Sequence, residues 1–178
     1  MENIILLWKK LKDNAIIPSK DEENIGYDIY AAESDYFWLL PHETKMISTG
    51  LAVAIIDADK NEASNDYALI AKDRGSTGSI GLHTHCGVID AGYRGEIFIA
   101  LCNTGDCPIL FTNDVKKVIK EYDDFGVLDY ICYPLSKAIA QLVIVQSYQF
   151  KSIEADDETW AAFSNTKRGD GKLGSSQK

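Results

Sequence analysis

In GEIFIALCN, residues 95–103, apolar and polar side chains do not alternate. Ile97, Ile99 and Leu101 fall on one face of an extended chain and Phe98, Ala100 and Cys102 on the other. Both faces are apolar, so the strand has to be covered on both sides. KMISTGLAVAII, DYALIAKD and AIAQLVIVQ are likewise β-branched and aliphatic, bounded by turn residues, with little helical period. An antiparallel sandwich or barrel, with subunit contact as a further way to seal it, accounts for these runs better than alternating βα units.

Two segments depart from the strand pattern. In TNDVKKVIKEYDD, Val115, Val118, Ile119 and Tyr122 recur at helical spacing behind Thr112, Asn113 and Asp114, which are N-cap candidates, so a short helix is predicted, with a hairpin as the competing reading. DDETWAAF can form one or two helical turns with acids at the favourable end. From Ser164 onward, SNTKRGDGKLGSSQK has almost nothing to bury and reads as a flexible arm, although Arg168, its glycines and its serines have the chemistry of a phosphate cradle.

With 178 residues and 46% hydrophobic composition the chain suits one domain with a substantial core. Its formal charge of −9 gives no net attraction to nucleic acid or to an anionic membrane, so neither is expected as a direct partner. An anionic ligand therefore has to be captured by local basic groups or a metal. Cys86, Cys102, Cys107 and Cys132 fit no zinc spacing and accompany no secretory leader, which points to reduced thiols in a cytoplasmic protein. His83, Thr84, His85 and Cys86 place only two side chains on each side of an extended segment, which favours a hairpin-lining role over a metal site.

Four clusters carry more chemistry. NIGYDIYAAE sets Asp28 two residues after a glycine; KDRGSTGSIG holds Arg74 in a turn rich in glycine and hydroxyls; GVIDAGYRGE holds Asp90; AIAQLVIV carries Gln141 within an apolar strand. Each residue alone reads as a turn acid, a surface cation, a strand-end cap or an edge amide. In this order, and with the C-terminal arm, the clusters resemble the five motifs of the trimeric dUTPase family, from about Gly26 to Ser176.

The resemblance implies an all-β fold, a jelly-roll or distorted barrel over residues 1–163 with a short helix or hairpin insertion at about 106–136. It implies a flexible arm, 164–178, closing over an active site shared between subunits of a homotrimer. The implied reaction is Mg²⁺-dependent hydrolysis of dUTP to dUMP and pyrophosphate, which keeps uracil out of DNA. Matching by position, Asp90 activates the water and Asp28 holds the metal through water. Arg74, Gly75 and Ser76 bind the α- and β-phosphates, and Gln141 lies on the phosphate side. Tyr93 packs under the deoxyribose. Uracil is read by the hairpin GLHTHCGVID, with Thr84, Gly87 and neighbouring main chain as candidates. Arg168, Leu173, Gly174, Ser175 and Ser176 close the site from the arm. Three positions depart from the family pattern: Gly75 stands where many members have serine, Leu173 where a phenylalanine stacks on uracil, and Lys172 where a glycine precedes it.

Two other functions compete. A dCTP deaminase, alone or combined with dUTPase, resembles this chain in RGSTG and DAGYRG, but Ala100 occupies the position of the glutamate that moves protons there. A regulatory binding protein on the same fold is the alternative of another class, with 106–136 as its distinguishing feature; a tolerated surface insertion is the plainer reading of that stretch.

Overall fold

The computed structural model describes residues 3–85, 87–122, 129–167 and 169. Seven strands, β1 (Ile4–Lys10), β2 (Tyr27–Ile29), β3 (Phe37–Leu39), β4 (Thr44–Ser48), β5 (Leu51–Asp57), β6 (Glu62–Ala63) and β7 (Tyr67–Lys72), precede one helical turn, α1 (Gly75–Gly78). After it come β8 (Leu82–His85), β9 (Val88–Ile89), β10 (Phe98–Asn103), β11 (Ile109–Phe111) and helix α2 (Val115–Tyr122). Strands β12 (Ile131–Tyr133) and β13 (Ala140–Gln146) follow, then α3 (Asp157–Ser164). Among the described residues no helix is long and apolar enough to cross a membrane.

The strands form four small sheets, ordered β1-β5-β6, β4-β10-β8, β12-β11-β3 and β2-β13-β7-β9. Among the described strands each pairing is antiparallel apart from β11 with β12. Their inner faces share one core, in which Ile29, Leu39, Leu82, Leu101, Ile109, Phe111, Ile139 and Leu142 have no exposed surface. Each such large side chain contributes about 1.5–3 kcal/mol by leaving water. In β10 and the residue before it, Ile97, Ile99 and Leu101 point into this core, whereas Phe98 on the opposite face is 43% exposed. Within one chain the expected cover on both faces is complete at Ala100 and missing at Phe98, whose neighbourhood includes the exposed Met46, Val88 and Tyr93.

Three sequence readings change. KMISTGLAVAII is two strands, because Thr49 donates both its hydroxyl and its N–H to the Ile97 carbonyl (2.7 and 3.3 Å) and Gly50 N–H turns to the Glu96 carboxylate (2.9 Å), sending β4 and β5 to different sheets. Among its described residues GLHTHCGVID forms no paired hairpin: β8 pairs with β10, while β9 pairs with β7. The change of sheet is fixed at Gly87, whose carbonyl accepts the Ala71 N–H at 2.7 Å; a Cβ there would stand 2.5 Å from the Ala71 carbonyl oxygen, so only glycine fits.

The third concerns residues 106–136, which are not surface throughout. Ile109, Leu110 and Phe111 are fully buried, Phe37 stacks on Phe111 at 4.4 Å, and Tyr133 packs on Phe111 at 5.2 Å. Three consecutive apolar residues have no period to reveal a core strand. Between them the expected helix forms as α2. Of its cap candidates Asp114 serves, accepting the Lys117 N–H at 3.0 Å, while Asn113 accepts the Ser136 N–H at 2.9 Å. Residues 123–128 lie outside the described residues.

The chain divides into two units after Ser147. In the second, the expected helix is α3, capped by Asp156, which accepts the Thr159 N–H at 2.7 Å, with Asp157 and Glu158 in its first turn.

Candidate active site

Strands β2, β13 and β7 lie side by side, so Asp28, Gln141 and Lys72 occupy one register row. Immediately beyond β7 the chain turns through α1. Thr77 closes that turn, its hydroxyl accepting from Arg74 N–H (3.0 Å) and donating to the Arg74 carbonyl (2.9 Å). This leaves the Arg74 side chain directed back over β2. Its Nη2 and Nε each donate to one oxygen of Asp28, both at 2.9 Å. A fork of this kind fixes the guanidinium plane and uses two of its five donors, and the Tyr133 hydroxyl also engages the guanidinium.

Gln141 is fixed as tightly. Its Nε2 donates to the Asp73 carbonyl at 2.7 Å, and its amide lies against Gly26, where a Cβ would stand 2.2 Å from Oε1. The result is a polar concavity of about 580 Å³ lined by Glu23, Asn24, Ile25, Gly26, Asp28, Arg74, Gly75, Ser76 and Gln141. Three sequence clusters, distant along the chain, thus meet in one place.

Asp90 and Tyr93 do not line that concavity. Asp90 follows the last residue of β9, and the Tyr93 N–H donates to its carbonyl at 3.0 Å, which closes the tight turn expected from Ala91 and Gly92. Arg94 Nη1 ties the same turn from outside, donating to the Ala91 and Tyr93 carbonyls at 2.6 and 2.9 Å. Tyr93 hydroxyl donates to the Glu96 carbonyl at 2.9 Å. Both residues border a second, smaller hollow of about 200 Å³ with Met46, Val88, Ile89, Glu96, Ile97 and Phe98. The two hollows share no lining residue.

Thr84, on β8, is engaged within the chain: its N–H and hydroxyl both donate to Asp73 Oδ1, at 2.6 and 2.8 Å, and His83 Nδ1 stands 2.8 Å from Asp73 Oδ2. Burial acts to raise the Asp73 carboxyl, but the contacts from His83 and Thr84 outweigh it and hold the group below its ordinary value. Arg168, Leu173, Gly174, Ser175 and Ser176 lie outside the described residues, as does Cys86.

Two neighbours of the site escaped the sequence reading. One is Asp73, which directly precedes Arg74 in KDRGSTGSIG. Tyr133 is 2% exposed, and its hydroxyl donates to the Ala138 carbonyl at 2.6 Å. Burial pushes its phenol above the ordinary value, with Arg74 and Ser76 acting in the opposite direction, so the end of the 106–136 stretch reaches the Arg74 side of the site.

A family profile for dUTPase matches residues 12–116 of the chain. The chain belongs to the dUTPase family. A deoxyuridine 5'-triphosphate nucleotidohydrolase of Hydrogenobaculum sp. is 30% identical over 171 residues, 96% of each chain. A probable deoxyuridine 5'-triphosphate nucleotidohydrolase of Schizosaccharomyces pombe is 32% identical over 117 residues, 64% of this chain and 76% of that one. Among solved structures, the dUTPase of Staphylococcus bacteriophage 80alpha with dUPNHPP aligns over 98% of this chain and 99% of its own, with a TM-score of 0.67 and 26% identity. The four small sheets are therefore the jelly-roll-like β fold of the dUTPases, and the chain is a dUTPase-family hydrolase.

Among the described residues no three His, Cys, Asp or Glu side chains converge as a metal-binding group. The donor set suits a hard cation that arrives with phosphates and keeps its waters: each Asp28 oxygen accepts one bond from Arg74 and retains lone-pair capacity toward a metal-bound water.

Proposed function

We propose that this chain hydrolyses dUTP to dUMP and pyrophosphate, with Mg²⁺ on the triphosphate and water attacking the α-phosphorus. The observation that carries the reading is the polar hollow in which Arg74, pre-aligned by Asp28, stands beside Gln141 and Ser76. Arg74, Ser76 and the main chain at Gly75 hold the α- and β-phosphates, and Gln141 orients the phosphate chain from β13. Asp28 accepts hydrogen bonds from metal-bound water. When bound, Mg²⁺ neutralises charge on the phosphate oxygens.

Asp90 takes a proton from the attacking water, and its place on a closed turn keeps the carboxylate from swinging out of line. Tyr93 packs under the deoxyribose. Residues 81–90 read the uracil. Since both Thr84 donors already serve Asp73, acceptors and main-chain groups of that stretch are left for the base. The arm from residue 164 supplies Arg168, Leu173, Gly174, Ser175 and Ser176 as a lid over the γ-phosphate and base.

Because the Asp90 and Arg74 hollows are separate on one chain, a complete site takes each from a different subunit, as a homotrimer permits. The exposed apolar rim of Met46, Val88 and Phe98 suits such an interface. Ala100, 3% exposed and opposite Met46 and His85, offers no proton shuttle for deamination.

Pyrophosphate release measured across dUTP, dCTP, dTTP and UTP tests the reading. Turnover confined to dUTP, abolished by EDTA and lowered by about two orders of magnitude or more in Asp90→Asn, supports it. Equal rates on all four nucleotides, or an undiminished Asp90→Asn, refutes it.

A further inference from the structure

Asp73 has no role in the reaction as described, yet three parts of the site meet on it. Its carboxylate accepts the Thr84 N–H and hydroxyl on Oδ1 (2.6 and 2.8 Å) and stands 2.8 Å from His83 Nδ1 through Oδ2. Its carbonyl accepts Gln141 Nε2 at 2.7 Å, and the next residue is Arg74. The contacts cross between sheets: Asp73 follows β7 of the sheet β2-β13-β7-β9, whereas β8 is an edge strand of β4-β10-β8. An edge strand leaves one row of main-chain donors unpaired, and the Asp73 carboxylate takes one of these donors at Thr84.

We propose that Asp73 is a positioning residue for base selection. It holds residues 81–90, the stretch assigned to the base, at a fixed distance from Arg74 and Gln141. The inference rests on the proposed dUTPase reading. A base gripped by that stretch then brings its phosphates over the hollow, and a base needing a wider fit pulls them out of line. Displacement by about 1 Å is enough to cost two orders of magnitude where reacting groups must be aligned. A merely structural tie would move the melting temperature and leave selectivity alone.

The test uses the full-length protein with Asp73→Ala and Asp73→Asn. Both Asp73 and His83 are partly exposed, so water can solvate the groups the alanine leaves behind. In the wild type the His83 Nδ1 proton should give a hydrogen-bonded, slowly exchanging NMR signal, which Asp73→Ala removes. In Asp73→Ala, KM for dUTP should rise about tenfold with kcat changed less than about threefold, and the dUTP-to-dTTP ratio of kcat/KM should fall about tenfold or more. Asp73→Asn, which keeps an acceptor for Thr84, should lie between. Should Asp73→Ala not fold, Thr84→Val removes one of the three carboxylate contacts and should shift the ratio in the same direction by a smaller amount. A folded Asp73→Ala that loses the His83 signal while keeping KM and the dTTP ratio within about twofold overturns the positioning role alone. A wild type that releases no pyrophosphate from dUTP overturns the parent reading and this one together.

Discussion

Replacing Gly26 by alanine adds one methyl group at a place where the structure has no room for it. The new Cβ would stand 2.2 Å from Gln141 Oε1, 2.9 Å from its Cδ and 3.0 Å from its Cβ. The last atom is fixed to the backbone of β13, so the amide must rotate away and release the Asp73 carbonyl, now bonded at 2.7 Å. Losing one hydrogen bond and leaving a favoured rotamer costs about 2 kcal/mol together. With Gln141 on the phosphate side as proposed, that cost corresponds to about a 30-fold fall in kcat/KM for dUTP. For a domain of this size it also lowers Tm by about 4–8 °C. Steady-state pyrophosphate release and calorimetry measure the two effects. Combining Gly26→Ala with Gln141→Ala removes the clashing amide, so most of the Tm loss should return although activity does not. If Gly26→Ala keeps both kcat/KM and Tm, or if the second substitution brings no relief, Gln141 is not held against residue 26 and the reasoning fails.

Tyr93→Ala should weaken dUTP binding and raise the UTP-to-dUTP ratio of kcat/KM, because the ring no longer forces a 2′-hydroxyl to be buried unpaired at about 1–3 kcal/mol; an unchanged ratio places sugar selection elsewhere. Deleting residues 167–178 should lower kcat/KM at least about tenfold and leave Tm nearly constant, and Leu173→Phe should tighten nucleotide binding through stacking worth about 1–3 kcal/mol; kinetics and calorimetry on the two variants decide. The Asp73 carboxyl gives up its proton more readily folded than unfolded, so its stabilisation is complete above its ordinary value of 3.8 and disappears as pH falls through the lower folded value. Between about pH 5 and pH 3 the urea midpoint of the wild type should therefore fall more steeply than that of Asp73→Asn.

What the sequence made legible were residues out of keeping with their surroundings. Gln141 stands as an amide inside an aliphatic strand, Arg74 in a glycine turn, and Asp90 between an apolar run and DAGY, so their types announce them before any fold is known. Helices α2 and α3 were legible because caps and periodicity act locally. Asp73 was not, since its partners Thr84 and His83 are chosen by where an edge strand of another sheet passes. Nor was Tyr133, which lies in a stretch whose apolar residues have no period, and whose core position depends on Phe37 and Phe111 stacking from elsewhere. The split of GLHTHCGVID between two sheets turns on one missing Cβ at Gly87, which a strand pattern reads as an ordinary hairpin glycine.

In the proposed homotrimer, the separation of the two hollows on one chain would have a genetic consequence. A protomer with Arg74 replaced keeps a sound Asp90 hollow, and one with Asp90 replaced keeps a sound phosphate hollow. Under the proposed reading each should be inactive on its own. Mixed at random after dissociation, they rebuild intact sites wherever the sound halves face each other, at about a quarter of all positions. Two null alleles of this gene would then complement one another when expressed together. A single defective allele beside a normal one would spoil sites in shared trimers without abolishing them.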